Sequence, residues 1–415
     1  MPSKIYFFLL CFCYSIGVVS QIDYEVPPPD YIKTITFRSN TNESQLPILE
    51  LNDLLTLEFD VLNSNEDDFY YVIEHYDFDW KPSRLVKTEF LQGFDNLRII
   101  NYQNSFNTYQ RYSHYTLNIP NQQTRLKVSG NYMLKIYNEY DELMFSRKFM
   151  VYENLASVGM IIRRSRDVKY IAQKQTVDMR ITSPTLQFDN PDQTTNTVII
   201  QNNNLNTAIY GVKPQYTLGR ELIYKYTNET AFWGGNEYLY FENKDVRGAN
   251  VGIQFIDLQE IYHSYLFTDI IRADRPYTYN PDINGNFVIT ALNVEDPSIE
   301  ADYTQVHFSL QHPETFDKRI YIYGNYNNYS LSEMNRMYYN PDSGFYEGTL
   351  LLKQGFYNYK YVTLDNNNIM DEGAISGNYD FTENNYKALV YYRPLGGRYD
   401  RIVGFGETSS INITN

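Results

Sequence analysis

The chain has 415 residues, 43% of them hydrophobic, so its length allows two or three globular domains and its composition excludes a disordered protein. With 35 basic and 50 acidic residues the formal net charge is −15, which argues against partners such as nucleic acid or anionic lipid surfaces. The 42 Tyr and 24 Phe suit half-buried pleated surfaces, so the composition indicates β-sheet.

The first twenty residues predict a secretory signal peptide. Lys4 precedes an uncharged apolar run, and small residues come before Gln21. A retained membrane anchor is the alternative, but the run is short for spanning a bilayer. Bulky residues before Cys11 and Cys13 argue against a lipoprotein. Cleavage near Ser20 removes one lysine and both cysteines, leaving 34 basic against 50 acidic residues, a net charge of −16, and no disulfide or thiolate chemistry.

Short alternating apolar runs follow the extended VPPPD segment at 26–30. They recur about every ten residues between Asn, Asp, Gly and Pro, as in β-sandwiches. We therefore predict an all-β fold of three tandem immunoglobulin-like or fibronectin-like sandwiches. The predicted divisions are a signal peptide (1–20), a first sandwich (21–152), a middle β domain (153–296), a C-terminal domain (297–397) and a flexible tail (398–415).

A transmembrane β-barrel is the all-β alternative, since its strands also alternate. Many strands here carry charges or amides on both faces, as in YFENKDV, and the last residues are SSINITN instead of an aromatic strand. The sandwich interpretation is therefore favoured.

The densest local cluster is HYDFDW at 75–80. In the preceding strand, Phe69, Tyr71, Ile73 and His75 are predicted to share one face. We expect Trp80 to close the end of a core and the aspartates of the turn to accept backbone N–H bonds. A catalytic or metal site is the alternative. It lacks support, because the sequence has no GxSxG or HExxH motif, its histidines are scattered, and the acidic loop DNNNIMD also suits a hairpin tip.

The second local feature is WGGNEYLYFE at 233–242. Gly234 and Gly235 allow a tight turn. Trp233 either packs on these glycines or is an exposed anchor for a partner. The motif is a poor phosphate-binding candidate, because no Lys follows it.

Taken together, three stretches resemble the plug protein family of the bacterial type IX secretion system: HYDFDWKPSRLVKTEFLQGFDNLRIINYQNSFNT, YSHYTLNIPN and SGNYMLKIYNEYDELMFSRKFMVYE. Tyr76 departs from the family, which often has Cys there. WGGNEY, DINGNF, ADYTQVHFSL and KQGFYNYKYV extend the resemblance over most of the chain. The residues that match the family pattern, as structural or partner-contact positions, are His75, Trp80, Ser83, Leu85, Glu89, Phe90, Gly93, Phe94, Ser105, Asn107, Thr108, His114 and Tyr115.

The resemblance implies a periplasmic protein, peripheral to the outer membrane, that closes the periplasmic opening of a giant β-barrel translocon. It implies no catalytic residue, no metal and no cofactor, and a monomer when unbound. It also implies no direct membrane insertion and no nucleic acid. A glycan-binding or glycan-processing envelope protein is the alternative function.

The last predicted domain, with RIYIYGNYNNYS, also resembles early-set immunoglobulin-like modules of glycogen- and starch-acting enzymes. Members of that group that bind glucan stack sugars on exposed Trp. The corresponding position here is Tyr329, which together with Trp233 is a candidate partner contact.

Overall fold

The computed structural model describes residues 23–413 apart from 41–44, 64, 65, 249, 316 and 412. The predicted signal peptide, with both cysteines, lies outside these residues. The fold is all-β and multi-domain, as predicted, and the α-helices within the described residues are single turns. In the same part of the chain no helix is long and apolar enough to cross a membrane.

The first unit comprises β1 (Ile32–Ser39), β2 (Ile48–Glu50), β3 (Leu55–Leu62), β4 (Phe69–Tyr76), β5 (Leu91–Gly93), β6 (Leu97–Arg98), β7 (Tyr102–Asn104), β8 (Tyr112–Ile119), β9 (Thr124–Leu126), β10 (Gly130–Asn138) and β11 (Leu143–Tyr152). Next come β12 (Ala156–Arg164), β13 (Lys174–Thr182), β14 (Thr195–Gln201), β15 (Asn204–Tyr210), β16 (Tyr216–Leu218), β17 (Glu221–Tyr224), β18 (Ala231–Trp233), β19 (Leu239–Glu242), β20 (Ile253–Leu258), β21 (Tyr262–Leu266), β22 (Asp269–Ile270) and β23 (Phe287–Ile289). The remaining strands are β24 (Tyr303–Gln311), β25 (Lys318–Tyr323), β26 (Arg336–Asn340), β27 (Phe345–Lys353), β28 (Gly355–Asp365), β29 (Met370–Asp371), β30 (Asn385–Tyr392) and β31 (Arg401–Ser409). The helical turns are α1 (Lys87–Phe90), α2 (Pro191–Thr194), α3 (Pro297–Glu300) and α4 (Gly373–Ser376), with 3-10 turns at Val168–Tyr170, Asn325–Asn327 and Glu333–Asn335.

The first unit is a β-sandwich. Its sheets have the orders β1-β3-β8-β7 and β2-β11-β10-β4-β6. Alternation in β3 directs Leu57 and Phe59 inward, where Phe59 meets Phe145 of the facing sheet at 5.3 Å between ring centroids. The buried aromatic and aliphatic residues of both sheets form one core.

The second and third units cross the predicted boundaries. A nine-stranded sheet has the order β15-β14-β30-β31-β12-β13-β17-β16, with β18 on β13, and an eleven-stranded sheet contains β19 to β29. The expectation of contiguous units at 153–296 and 297–397 is therefore wrong in part. The flexible-tail prediction is also wrong over Arg401–Ser409, which pairs with β30 and with β12. Pairing between strands so distant in sequence leaves no local signal.

All three units contact one another. An apolar cluster joins the first and second units, with Tyr76, Trp80 and Met133 on one side and Leu389 and Tyr391 on the other. Leu62, Tyr112 and Tyr303 pack where the first unit meets the third. The Asn204 side chain donates to the Tyr323 hydroxyl at 3.0 Å and connects the second unit to the third. The three junctions therefore hold the units together as one body.

Candidate functional site

HYDFDW forms a corner at the junction of the first and second units. Strand β4 alternates as predicted, because Phe69, Tyr71 and Ile73 are buried in the sandwich core. Tyr76 faces the other way, into the cluster that joins the two units. The corner thus connects two packed interfaces.

His75 is buried and neutral. Its Nε2 lies 3.3 Å from the Ser129 carbonyl, to which it donates, so Nδ1 accepts from the Ser83 hydroxyl at 2.8 Å. Gly130 has φ +147°, and a Cβ there would lie 2.3 Å from Nε2, so the glycine makes room for the imidazole. Burial lowers the pKa of His75 to about 4, although the Ser129 carbonyl and the Asp400 carboxylate act in the opposite direction. The ring is therefore a structural element at neutral pH.

Trp80 covers the junction cluster. It is buried in a left-handed conformation with φ +57°, and the Lys148 ammonium lies 4.3 Å from its ring centroid. The turn aspartate behaves as predicted, since Asp77 accepts from the Asp400 N–H at 3.1 Å. Asp400 in turn accepts from the Phe78 N–H at 2.9 Å. The core that Trp80 closes lies between two units, whereas the sequence predicts the end of one sandwich.

Glu89 connects the first unit to the segment before β31. Its carboxylate accepts the Val86 N–H at 2.9 Å and two bonds from the Arg398 guanidinium at 2.5 and 3.0 Å. Arg398 also donates to the Arg84 carbonyl at 2.7 Å. This bidentate pair fixes orientation as well as distance.

Gly93 and Phe94 form an exposed turn. Gly93 has φ +90°, and a Cβ would lie 1.9 Å from the Gln123 carbonyl oxygen, so glycine is required. The Phe94 side chain that follows is 74% exposed. An aromatic ring held in solvent by a rigid turn is a candidate contact residue.

The 105–109 loop attaches the first unit to the third. Ser105 Oγ accepts from the Tyr112 N–H at 3.0 Å, and Asn107 takes a left-handed φ of +58°. Next to them, the Phe106 N–H donates to the Ile299 carbonyl at 2.9 Å and the Tyr109 N–H to Asp302 at 2.6 Å. The two matched positions therefore shape an inter-unit contact.

A buried ionic network centred on Asp60 lies at the same junction. Asp60 and Lys353 are both fully buried, and Lys353 Nζ lies 2.7 Å from Asp60 Oδ2. His114 Nδ1 donates to Asp60 Oδ1 at 2.7 Å, and the Tyr303 hydroxyl donates to Oδ2 at 2.7 Å. Lys353 also donates to the Ser298 carbonyl at 2.6 Å.

The network keeps its charges. Burial acts to raise the pKa of Asp60, but the Lys353 ammonium and His114 hold it below its usual value. Burial lowers the pKa of Lys353 while Asp60 opposes that change. Each Asp60 oxygen has a hydrogen-bond donor, which a buried ion pair requires. We therefore assign His114 a structural role.

Tyr115, beside His114 in β8, belongs to the first core. Its ring stacks on Phe59 at 5.1 Å, and its hydroxyl donates to the Asp67 carbonyl at 2.8 Å.

No group of three or more His, Cys, Asp or Glu side chains among the described residues is arranged to hold a metal ion. Among the matched residues, His75, Trp80, Glu89, His114 and Tyr115 thus lie in packed cores or junctions, whereas Phe94 is exposed.

The chain was compared with known protein families and solved structures. The model for the first domain of the type 9 secretion system plug protein matches residues 32–153, the whole of the first sandwich. The chain belongs to the type 9 secretion system plug family. A crystal structure of a hypothetical protein from Parabacteroides merdae ATCC 43184 is similar to this plug-family chain over all three units, at 31% identity and a TM-score of 0.90. That likeness covers 94% of this chain and 100% of the other. No curated protein matches the chain.

Two candidate contact residues of this plug-family chain differ in exposure. Trp233 is 48% exposed, with the Lys174 ammonium 4.3 Å from its ring centroid and Tyr170 against its edge. Tyr329 is buried, and its hydroxyl donates to the Asn202 carbonyl at 2.9 Å. The expectation that Tyr329 is a surface contact is therefore wrong, because the β14–β15 turn covers it.

Sequence reasoning missed Asp60, Lys353 and Tyr303. In LTLEFDVL, Asp60 alternates with apolar residues and reads as a solvent-facing position on a one-sided strand. Its face is instead covered by the third unit, which brings Lys353 from almost three hundred residues away. One weak signal for a buried charge was present in the sequence: Lys353 ends the apolar run of β27.

We expect His75 to make the plug-family chain less stable as pH falls from 6.5 to 4. The unfolded chain binds a proton near pH 6.5 and the folded chain near pH 4, so the unfolded state binds more protons between them. The stabilisation present above pH 6.5 falls by about 3 kcal/mol across this window. Urea unfolding of wild type and His75→Gln at both pH values measures the difference.

His312→Gln is the control for that experiment, because His312 does not belong to the corner. Asp282 acts in the opposite direction, since burial raises its pKa to about 7, and the comparison between variants removes its contribution. An unchanged pH dependence in His75→Gln would contradict the assignment.

Proposed function

We propose that the protein binds the giant outer-membrane β-barrel translocon of the type IX system and closes its periplasmic opening while no cargo passes. Membership of the plug family supports this proposal, because it indicates a role in type IX secretion. A channel wide enough for folded cargo needs a folded stopper of comparable width. Three units locked by the Trp80 cluster and the Asp60 network supply such a rigid body.

Closing the translocon in this way requires no chemical reaction. The plug family is a non-catalytic component of secretion, and we extend that property to this chain. The protein would reach the periplasm by its predicted signal peptide and remain peripheral to the outer membrane. A contact that must open again is best built from a modest apolar patch with a polar surround.

The contact surface that we propose is the connection between β4 and β8. Three large apolar side chains on it face solvent: Phe94 is 74% exposed, Ile100 75% and Phe106 67%. Single exposed apolar side chains are common on protein surfaces, so the proposal rests on three of them occurring in one connection. Phe94 is also one of the positions at which the chain matches the family pattern.

The double variant Phe94→Asp/Phe106→Asp is expected to lose the translocon without losing its fold. Two carboxylates in an apolar contact would be desolvated without a partner, which lowers recovery of the barrel by at least tenfold. Isolation of the tagged protein from envelope membranes, with the barrel quantified, measures the effect. The melting temperature reports on the fold.

Val168→Asp is the control, since Val168 is 84% exposed and belongs to the second unit, outside the proposed contact surface. Equal recovery of the barrel by all three proteins would contradict the proposed surface. A wild-type protein that recovers no barrel, and is retained on a glycan column instead, would favour the glycan-binding alternative.

A further inference from the structure

A cavity lies where the first unit meets the third, apart from the Asp60 network. It has a volume of about 200 Å³, between Pro27–Pro29 and β1 on one side and β27 with the 326–335 segment on the other. The wall is mostly apolar and includes Ile32, Ile35 and Leu350. An apolar cavity of ~150 Å³ is large enough to hold a benzene ring. This one therefore has room for part of an acyl chain.

Two cations line this apolar cavity. Lys33 and Arg147 both belong to its wall, and among the described residues neither forms an ion pair with a carboxylate. Arg147 donates to the Ser146 carbonyl at 2.9 Å and lies 5.6 Å from the Phe145 ring. Burial lowers the pKa of both cations, so each has lost hydration that no counter-charge replaces in full.

The carboxylates near these two cations either accept hydrogen bonds from other groups or form no ion-pair contact with them. Glu25, the acid that acts on Arg147, accepts the Lys148 N–H at 2.6 Å and the Asn328 amide at 2.8 Å. Asp30 acts on Lys33 without an ion-pair contact. The wall thus offers two cations, Lys33 and Arg147, that favour an anion.

The geometry of β1 argues against a peptide as the ligand and favours an acyl chain. β1 pairs with β3 alone, so its other edge is open to the cavity. That edge is irregular, because the pairing register shifts between Lys33 and Thr36 and Thr34 has φ +48°. Strand addition needs a regular ladder of donors and acceptors, which a bulge disrupts.

We propose that this cavity binds an amphipathic carboxylate, with its acyl chain against Ile32, Ile35 and Leu350 and its carboxylate between Lys33 and Arg147. Such a ligand would bridge the first and third units. The site is independent of the proposed contact with the translocon.

Calorimetric titration of the purified protein with octanoate and with 1-octanol tests the proposal. The two probes share a chain length and differ in charge. Wild type is expected to bind octanoate at least tenfold more tightly than octanol. Lys33→Met/Arg147→Met is expected to bind both probes equally, and Met334→Trp, which narrows the cavity, is expected to bind neither.

Arg111→Met/Lys318→Met is the control, because it removes the same two charges from exposed positions and should behave as wild type. No binding of octanoate by wild type would overturn the proposal. So would equal binding of both probes by wild type, or unchanged discrimination in Lys33→Met/Arg147→Met. If that variant does not fold, Met334→Trp decides: octanoate binding at wild-type strength would place the ligand elsewhere.

Discussion

Replacing Asp60 with asparagine is expected to destabilise the protein by about 3 kcal/mol, because a buried ammonium loses its counter-charge. The asparagine amide is the same size as the carboxylate, so the loss would come from charge and not from a cavity. Lys353 would keep the Ser298 carbonyl as an acceptor but would lie 1% exposed beside a neutral amide. Equilibrium urea unfolding measures the change in the free energy of unfolding.

The double variant Asp60→Asn/Lys353→Met is the critical control. Removing both charges removes the desolvation cost of both ions, so stability is expected to return to within about 1 kcal/mol of wild type. Arg38→Met should have a small effect, since its ion pair with Glu58 is exposed. A loss below about 0.5 kcal/mol in Asp60→Asn would show that the network is not held as described.

Trp80→Ala is expected to destabilise the protein by about 3–5 kcal/mol, whereas Trp233→Ala should cost about 1 kcal/mol or less. Trp80 is 5% exposed within the cluster between the first and second units, and its removal leaves a cavity there. Trp233 is 48% exposed, so its removal opens no cavity. These are the two tryptophans of the sequence, which makes them a matched pair.

The fluorescence of each variant provides an internal check. The Trp233→Ala protein reports on Trp80 alone, so its emission should shift to longer wavelength when the junction unfolds. Equal losses of stability in the two variants would contradict the assignment of Trp80 to a packed junction.

These effects bear on the proposed closure of the translocon, because both residues hold units together. A stopper that rests against a wide channel must resist deformation, and the Asp60 network and the Trp80 cluster each resist separation of two units. Apolar burial supplies most of the favourable free energy at such a junction. The buried ion pair adds a geometric requirement, since a shifted interface leaves its charges without partners.

Much of the fold follows from local sequence pattern. The alternation in FYYVIEHY predicted which residues of β4 enter the core, and the turn chemistry of HYDFDW predicted that Asp77 accepts a backbone N–H. Composition and motif spacing did not indicate a partner or a role, and these expectations came from the resemblance to the plug family. The local signals were sufficient wherever one strand and its own turn determine the structure.

The rest depends on contacts between distant segments. β30 and β31 pair with the second unit, and no periodicity in β31 distinguishes a central strand from a loose tail. The resemblance to early-set immunoglobulin-like modules predicts Tyr329 at the surface, where the glucan-binding members expose Trp, but the β14–β15 turn buries it. Asp60 looked solvated because the pattern of one strand does not show that another unit covers it.

The most direct test of the central claim is the permeability of cells that lack this protein. Deletion is expected to sensitise the cells to vancomycin-sized antibiotics when the translocon is present and to have no effect when the translocon is also deleted. Wild-type protein should restore resistance, and Phe94→Asp/Phe106→Asp should not. Unchanged sensitivity after deletion, or sensitivity that persists without the translocon, would contradict the proposal that this rigid three-unit body seals the channel.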